Sequence, residues 1–314
     1  MIKSSQEIID AAVKLSVTTR RRVAVAVAQD ADVIGAVRSA CDDGICNGSL
    51  FGDEAKIREL ADKNEIILDG LEVINETDPN KAVTGAVELA ASGGADVVMK
   101  GFVSTSGLLK GILDKRFNLR MSPNLSHVAV LDIPGYHKLL MLSDGGMIVC
   151  PDFEQRLDIV KNAVLVGRAL GIDPVKVALS AANDNELDSM PQTKDSARIV
   201  EKLHQDNFPH ARLAGPMTFD VAMSQECANK AGIDHPVAGD ADAYIFGTIE
   251  ECNITAKSMI VFADAIFAGV IVGAKIPVSL VSRTDPVKGK KTSLALACLV
   301  ADYYKQMGEG FQND

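Results

Sequence analysis

Short, almost wholly aliphatic runs alternate with longer stretches of helical periodicity along this chain, and that alternation constrains its fold more than any other feature. Residues 22–28 (RVAVAVA) form a near-continuous apolar run, the pattern of a strand buried on both faces. Runs at 49–51, 72–74, 96–99, 176–180, 211–215, 243–246 and 278–281 read as further strands. Between them, 31–42, 53–64, 79–91, 108–113, 152–170, 189–205, 253–262 and 291–306 read as helices, and 216–230 as a loop that becomes helical. Asp78 heads the helix at 79–91 and Gly93-Gly94 closes it. Runs at 128–132 and 139–143 predict paired strands turned at Pro134-Gly135. Strand–helix units of this length imply right-handed crossovers and a mostly parallel α/β sheet. No Gly/Pro/Ser-rich linker interrupts the 314 residues, so any two domains share strands or cross over more than once.

Composition agrees with that layout. Aromatics make up 4% of residues and Trp is absent, so the core is built from Ala, Val, Ile and Leu. A formal charge of −10 carries no basic footprint for nucleic acid, and anionic substrates would need a local cluster of Lys and Arg. The six Cys show no spacing of a zinc or redox motif and read as reduced, buried thiols. Residues 1–15 have the pattern of an amphipathic helix and not of a signal peptide. The longest apolar run, 259–274, is broken by Asp264 and two Gly and does not read as a membrane span. The expectation is a cytoplasmic protein.

Two strand ends carry the chemistry. Lys100-Gly-Phe-Val-Ser104-Thr105-Ser106-Gly107 follows an apolar strand and opens a helix. Hydroxyls and backbone N–H groups at a helix start suit a phosphate, and Lys100 and Lys110 add charge. The same pattern also fits an ordinary capped helix. Val281-Ser282-Arg283-Thr284-Asp285 leaves a second strand end. Arg offers a planar fork to phosphate or carboxylate, and the nearby carboxylate can act as a base or hold the Arg. Lys288, Lys290 and Lys291 then form a basic cluster, either a solvated run or a contact for coenzyme A phosphates. Asp144-Gly145-Gly146 reads as a turn, and His127 and His137 as core histidines. Metal ligands do not cluster, and no Walker loop, dinucleotide fingerprint or serine-hydrolase elbow is present.

The run AGVIVGAKIPVSLVSRTDPVKGKKTSLALA at 268–297 resembles the C-terminal signature of phosphate acetyl/butyryltransferases. VVMKGFVSTSGLLK (97–110), LMLSDGGMIVCPDFEQRLDIVKNA (140–163), AGPMTFDVAMS (214–224) and PVAGDADAYIFGTIEECNITAK (236–257) resemble further motifs of that family in order. The resemblance implies a two-domain fold similar to isocitrate and isopropylmalate dehydrogenases. It places 1–134 plus 282–314 in one domain and 135–281 in the other, with the active site in the cleft between them and a homodimer. It also implies direct attack of phosphate on an acyl-CoA thioester, with no metal and no permanently bound cofactor. Arg283 would hold phosphate and oxyanion, Ser282 would donate to the carbonyl oxygen or thiolate, and Asn253, Lys257, Lys288 and Lys291 would contact coenzyme A. In relatives an Arg on the helix after the Ser/Thr loop joins the phosphate site; the nearest match here is Lys110, offset by one residue.

One departure bears on the substrate. The acetyl branch carries an Asp six residues after its Arg, where this chain has Gly289. Asp285 is instead shared with the butyryl branch, which makes Ser282, Arg283 and Asp285 the catalytic candidates and butyryl or a broad short-chain acyl group the expected substrate, with acetyl the alternative. A nicotinamide-dependent dehydrogenase of the same fold is the distant rival, but this chain offers no close acidic cluster after a strand for the divalent metal that such enzymes need.

Overall fold

The computed structural model describes residues 1–280 and 287–310. The chain divides into two compact units, each described by itself: one comprises Ser5–Ser122 with Phe267–Asp314, the other Met1–Ser4 with Pro123–Ile266.

The first unit begins with α1 (Ser5–Ser16), β1 (Arg21–Ala26), α2 (Ala31–Asp42), β2 (Cys46–Gly52), α3 (Glu54–Lys63) and β3 (Glu72–Asn75). It continues with α4 (Pro79–Ala91), β4 (Val97–Lys100) and α5 (Thr105–Ile112). Short polar side chains start these helices. Asp30, Asp53, Asp78 and Ser104 each accept a backbone N–H from the first turn that follows, and Pro79 occupies the first turn of α4. Gly93, at φ 79°, supplies the left-handed residue that ends α4. β1 lies parallel between β2 and β4, and β3 extends the sheet beyond β2. Val23, Ala24, Val25 and Ala26 are fully buried, as a two-sided parallel strand requires.

The second unit holds β5 (Ser126–Asp132), β6 (Leu140–Ser143), α6 (Phe153–Ala169), β7 (Val175–Ser180), α7 (Pro191–Gln205) and β8 (Ala211–Met217). It ends with α8 (Phe219–Met223), α9 (Gln225–Ala231), β9 (Ala243–Ile245) and α10 (Ile249–Phe262). Its strand order is β5-β6-β9-β7-β8, antiparallel only between β5 and β6. The antiparallel pair at the Pro134-Gly135 turn is thus present as its sequence predicts.

The chain then returns to the first unit through β10 (Ile266–Val272), β11 (Val278–Ser279) and α11 (Val287–Gly310). β11 runs antiparallel to β10 and parallel to β4. α11 packs on α1 and α2 and buries Leu294, Leu296 and Val300. Buried Arg21 on β1 pairs with Asp302 on α11 and with Asp96, so the helix is also tied electrostatically.

Two elements depart from the sequence pattern. The 259–274 run hides a strand: α10 ends at Phe262, Asp264 turns the chain at φ 52°, and β10 follows. A mostly apolar run conceals the change from helical to extended period, and Asp is among the residues that tolerate a left-handed turn. β8 also continues through Pro216 instead of stopping at Gly215, because a strand at the end of the sheet can spare one N–H. Among the described residues, no helix is long and apolar enough to cross a membrane.

Candidate active site

The carboxyl ends of β1 and β4 meet through backbone contacts. Gly101 N donates to Ala26 O at 3.0 Å and Phe102 N to Val27 O at 2.6 Å. Val27 holds φ 61°, unusual for a β-branched residue, so this exit is a shaped loop and not a frayed end. Only glycine fits at 101, since a β-carbon there would lie 2.1 Å from Val27 O. Lys100 is 8% exposed and donates to Gly101 O at 3.3 Å.

Ser104 caps α5: its Oγ accepts from Gly107 N at 3.1 Å and lies 3.2 Å from Ser106 Oγ. Thr105 and Ser106 occupy the first turn, where backbone N–H groups and the helix dipole attract an anion. Lys110 stands in the last turn of α5. Six residues along a helix is about 9 Å, so its backbone is well removed from the cap.

β11 delivers the second strand end. Val278 pairs with Val98 and Ser279 with Met99, which sets the end of β11 beside the entry to the Lys100–Ser106 loop. Ser282, Arg283 and Asp285 follow in sequence and lie outside the described residues. Beyond them the basic cluster divides. Lys288 is exposed, Lys290 is fully buried with Nζ 3.5 Å from Asp32, and Lys291 donates to Ser39 Oγ at 3.0 Å and pairs with Asp43. Acidic residues of α2 and its C-terminal turn therefore engage two of the three ammonium groups.

In the second unit, the Asp144-Gly145-Gly146 turn is built around a buried carboxylate. Asp144 accepts N–H bonds from Gly146 at 2.8 Å, Met147 at 3.0 Å and Ile148 at 3.2 Å. Burial raises its pKa to about 6, with those N–H groups acting in the opposite direction. The ring of His127 lies against Gly146, where a β-carbon would come within 3.2 Å of it. Burial, aided by the charge of Lys257, lowers the His127 pKa to about 4, so the imidazole is neutral at neutral pH. Asn253 Nδ2 donates to Gly145 O at 3.1 Å, joining α10 to the same turn. His137 bonds Asp240 at 2.9 Å, away from this cluster.

This unit also holds a cavity that no sequence motif marks. A space of about 530 Å³ lies at the carboxyl ends of β7 and β9, lined by Ala181, Gln192, Phe219, Phe246, Glu251 and Ile254 among others. Gln192 Nε2 donates to Ser180 Oγ at 3.2 Å and to Glu251 Oε2 at 3.4 Å, and Glu251 Oε2 also accepts Gly247 N at 3.1 Å. In open α/β sheets ligands bind outside the carboxyl ends of the strands, where both units carry their polar residues.

Known proteins resemble this chain closely. The family model described as phosphate acetyl/butaryl transferase matches residues 77–298. A phosphate butyryltransferase of Clostridium acetobutylicum is 38% identical over 301 residues, covering 96% of this chain and 99% of the relative. A phosphate acetyltransferase of Thermotoga maritima is 35% identical, covering 90% of this chain and 95% of the relative. The crystal structure of a branched-chain phosphotransacylase from Enterococcus faecalis V583 superposes with a TM-score of 0.80 at 29% identity, over 90% of this chain and 99% of that one. The chain belongs to the phosphate acetyl/butyryl transferase family and is a phosphate acyltransferase.

Proposed function

We propose that this enzyme transfers a short acyl group, butyryl or a range of short chains, from coenzyme A to inorganic phosphate. Acetyl-CoA as main substrate is the alternative, since both butyryl- and acetyltransferases stand among its relatives. The observation that carries the reading is the pairing of Ser279 with Met99. Two adjacent parallel strands thereby lead, one into the Lys100–Ser106 loop and the other towards Ser282 and Arg283.

In the proposed step a phosphate oxygen attacks the thioester carbonyl carbon, the C–S bond breaks, and the thiolate of coenzyme A leaves and takes up a proton. Arg283 holds the phosphate and the developing oxyanion, where a preorganised donor acts most strongly. Ser282 donates to the carbonyl oxygen or the thiolate, and Asp285 acts as base or orients Arg283. Lys100 and the hydroxyls of Ser104, Thr105 and Ser106 supply the phosphate side, with Lys110 a further cation on α5. Asn253, Lys257, Lys288 and Lys291 serve coenzyme A. No permanently bound cofactor takes part. A cytoplasmic homodimer completes the proposal, and light scattering would test it by giving twice the chain mass.

The deciding assay measures thiol release from acetyl-, propionyl- and butyryl-CoA with phosphate or arsenate. Phosphate-dependent release with butyryl-CoA is expected. Release that ignores phosphate, or none from any of the three, would overturn the reading.

A further inference from the structure

We propose that the cavity over β7 and β9 binds the purine ring of coenzyme A, a proposal that rests on acyl-CoA being the substrate. Its volume of about 530 Å³ falls within the roughly 300–1,000 Å³ typical of small-molecule sites. Three aromatic rings make a rigid apolar wall. Phe219 and Tyr244 lie edge to face with centroids 5.1 Å apart, and Tyr244 and Phe246 likewise at 5.0 Å. Tyr244 spends its hydroxyl on Met217 O at 2.8 Å, so its ring serves only as apolar surface.

The polar edge is more selective. The Gln192 amide must turn its nitrogen towards the Glu251 carboxylate, which can only accept. That leaves Gln192 Oε1 and Glu251 Oε1 as acceptors with no protein donor among the described residues. A carboxylate repels the phosphates or carboxylate of a ligand, and coenzyme A carries no cationic group, so the group that enters is uncharged and brings N–H donors. A flat ring with an exocyclic amine meets all three demands: its faces suit the aromatic wall and its –NH₂ carries two hydrogens for two acceptors. An acyl chain has no donor and would leave both acceptors unsatisfied. Gly247 makes the arrangement possible, because a β-carbon there would lie 2.1 Å from Gln192 Nε2.

The test uses Ile254→Trp, which fills the cavity from a position 65% exposed on α10 and leaves the core untouched. Kinetics are compared with butyryl-CoA and with butyryl-pantetheine, which has the same thioester but no nucleotide. Loss of one base-stacking site typically corresponds to about tenfold in affinity, so the variant should show a KM for butyryl-CoA raised by about that factor. Its kcat, and its kcat/KM with butyryl-pantetheine, should match the wild type. Calorimetry with adenosine 3′,5′-bisphosphate supplies a readout independent of turnover: the wild type should bind it and Ile254→Trp should bind about tenfold more weakly. Gln192→Leu should weaken it too, and inosine 3′,5′-bisphosphate, which lacks the amine, should bind the wild type poorly. Equal losses with both thioesters, growing with acyl length, would assign the cavity to the acyl group and overturn the proposal. Unchanged kinetics and binding in Ile254→Trp would overturn it as well. If the wild type transferred no acyl group to phosphate yet bound the bisphosphate in an Ile254→Trp-sensitive way, the reaction would fall and the purine site would stand.

Discussion

Gly101 and Val27 approach so closely that a β-carbon on residue 101 would lie 2.1 Å from the Val27 carbonyl oxygen. Neither partner can yield cheaply, because the contact is backbone against backbone. Gly101→Ala should therefore displace the exit of β4, at a stability cost of about 1–3 kcal/mol. Turnover should fall further than stability, since Lys100 and Ser104 move with that exit. Thermal melts and kcat/KM measured on the same samples check this; unchanged values of both would show that the loop has room to adjust.

Arg283 is expected to be intolerant of its usual replacement. Lys keeps the charge but loses the planar two-point fork. Arg283→Lys and Arg283→Ala should each lose about a hundred- to a thousandfold in kcat, the effect of removing one oxyanion donor. Circular dichroism should be unchanged. Near-normal turnover in a folded Arg283→Ala variant would remove this residue from the mechanism.

Lys288 and Lys291 should separate in their effects. Lys288 is exposed, whereas Lys291 holds Ser39 and Asp43 across the α2–α11 packing. Lys288→Ala should raise the KM for acyl-CoA with the melting temperature unchanged. Lys291→Ala should raise that KM and lower the melting temperature as well, and a melting temperature left unchanged would show that its ties to Ser39 and Asp43 carry no stability.

Asp144 and His127 should give opposite pH signatures over one window. Burial raises the Asp144 pKa from 3.8 to about 6, so the native state keeps a proton that the unfolded chain has lost. The stability from this group is full below 3.8 and disappears as pH rises through 6. His127 falls from 6.5 to about 4, so the unfolded chain takes up a proton first and stability is lost as pH drops through that range. Each contribution spans roughly 3 kcal/mol at most. Denaturant titrations from pH 4 to 6.5 should show wild type minus Asp144→Asn falling with pH, and wild type minus His127→Gln rising. Parallel curves would refute the assignment.

Acyl length can be read from specificity constants. Each buried CH₂ contributes about 0.8 kcal/mol, so two methylenes could favour butyryl-CoA over acetyl-CoA by about tenfold. A strong preference for acetyl-CoA would reverse the substrate assignment while leaving the reaction class intact.

Local signals in the chain were easy to interpret. The aliphatic run at 23–26 could only be a strand buried on both faces, and Asp78 and Ser104 each stood where a helix needs a cap. The Ser104–Ser106 and Ser282–Arg283 segments stood out because strand, polar turn and helix follow one another in sequence. The purine cavity left no such trace. Gln192, Phe219 and the Phe246–Glu251 stretch come from three separate segments, which meet because β9 inserts between β6 and β7. Asp144 looked like a turn residue, since its burial depends on His127 and α10 packing over it. β10 was hidden for a different reason: Asp264 alone separates its apolar residues from those of α10, and one acidic residue does not show that the period changes there.

Pro216 has a consequence for how this protein behaves when concentrated. β8 has a single strand neighbour, β7, among the described residues, so its other side presents main-chain groups to whatever comes near. An edge of that kind is a template on which another molecule's strand can be added. Proline has no N–H to offer such a visitor, and the exposed charge of Arg212 stands on the same strand. The edge is thus poorly matched to a further strand, and crowded copies of the chain are discouraged from joining sheet to sheet into aggregates.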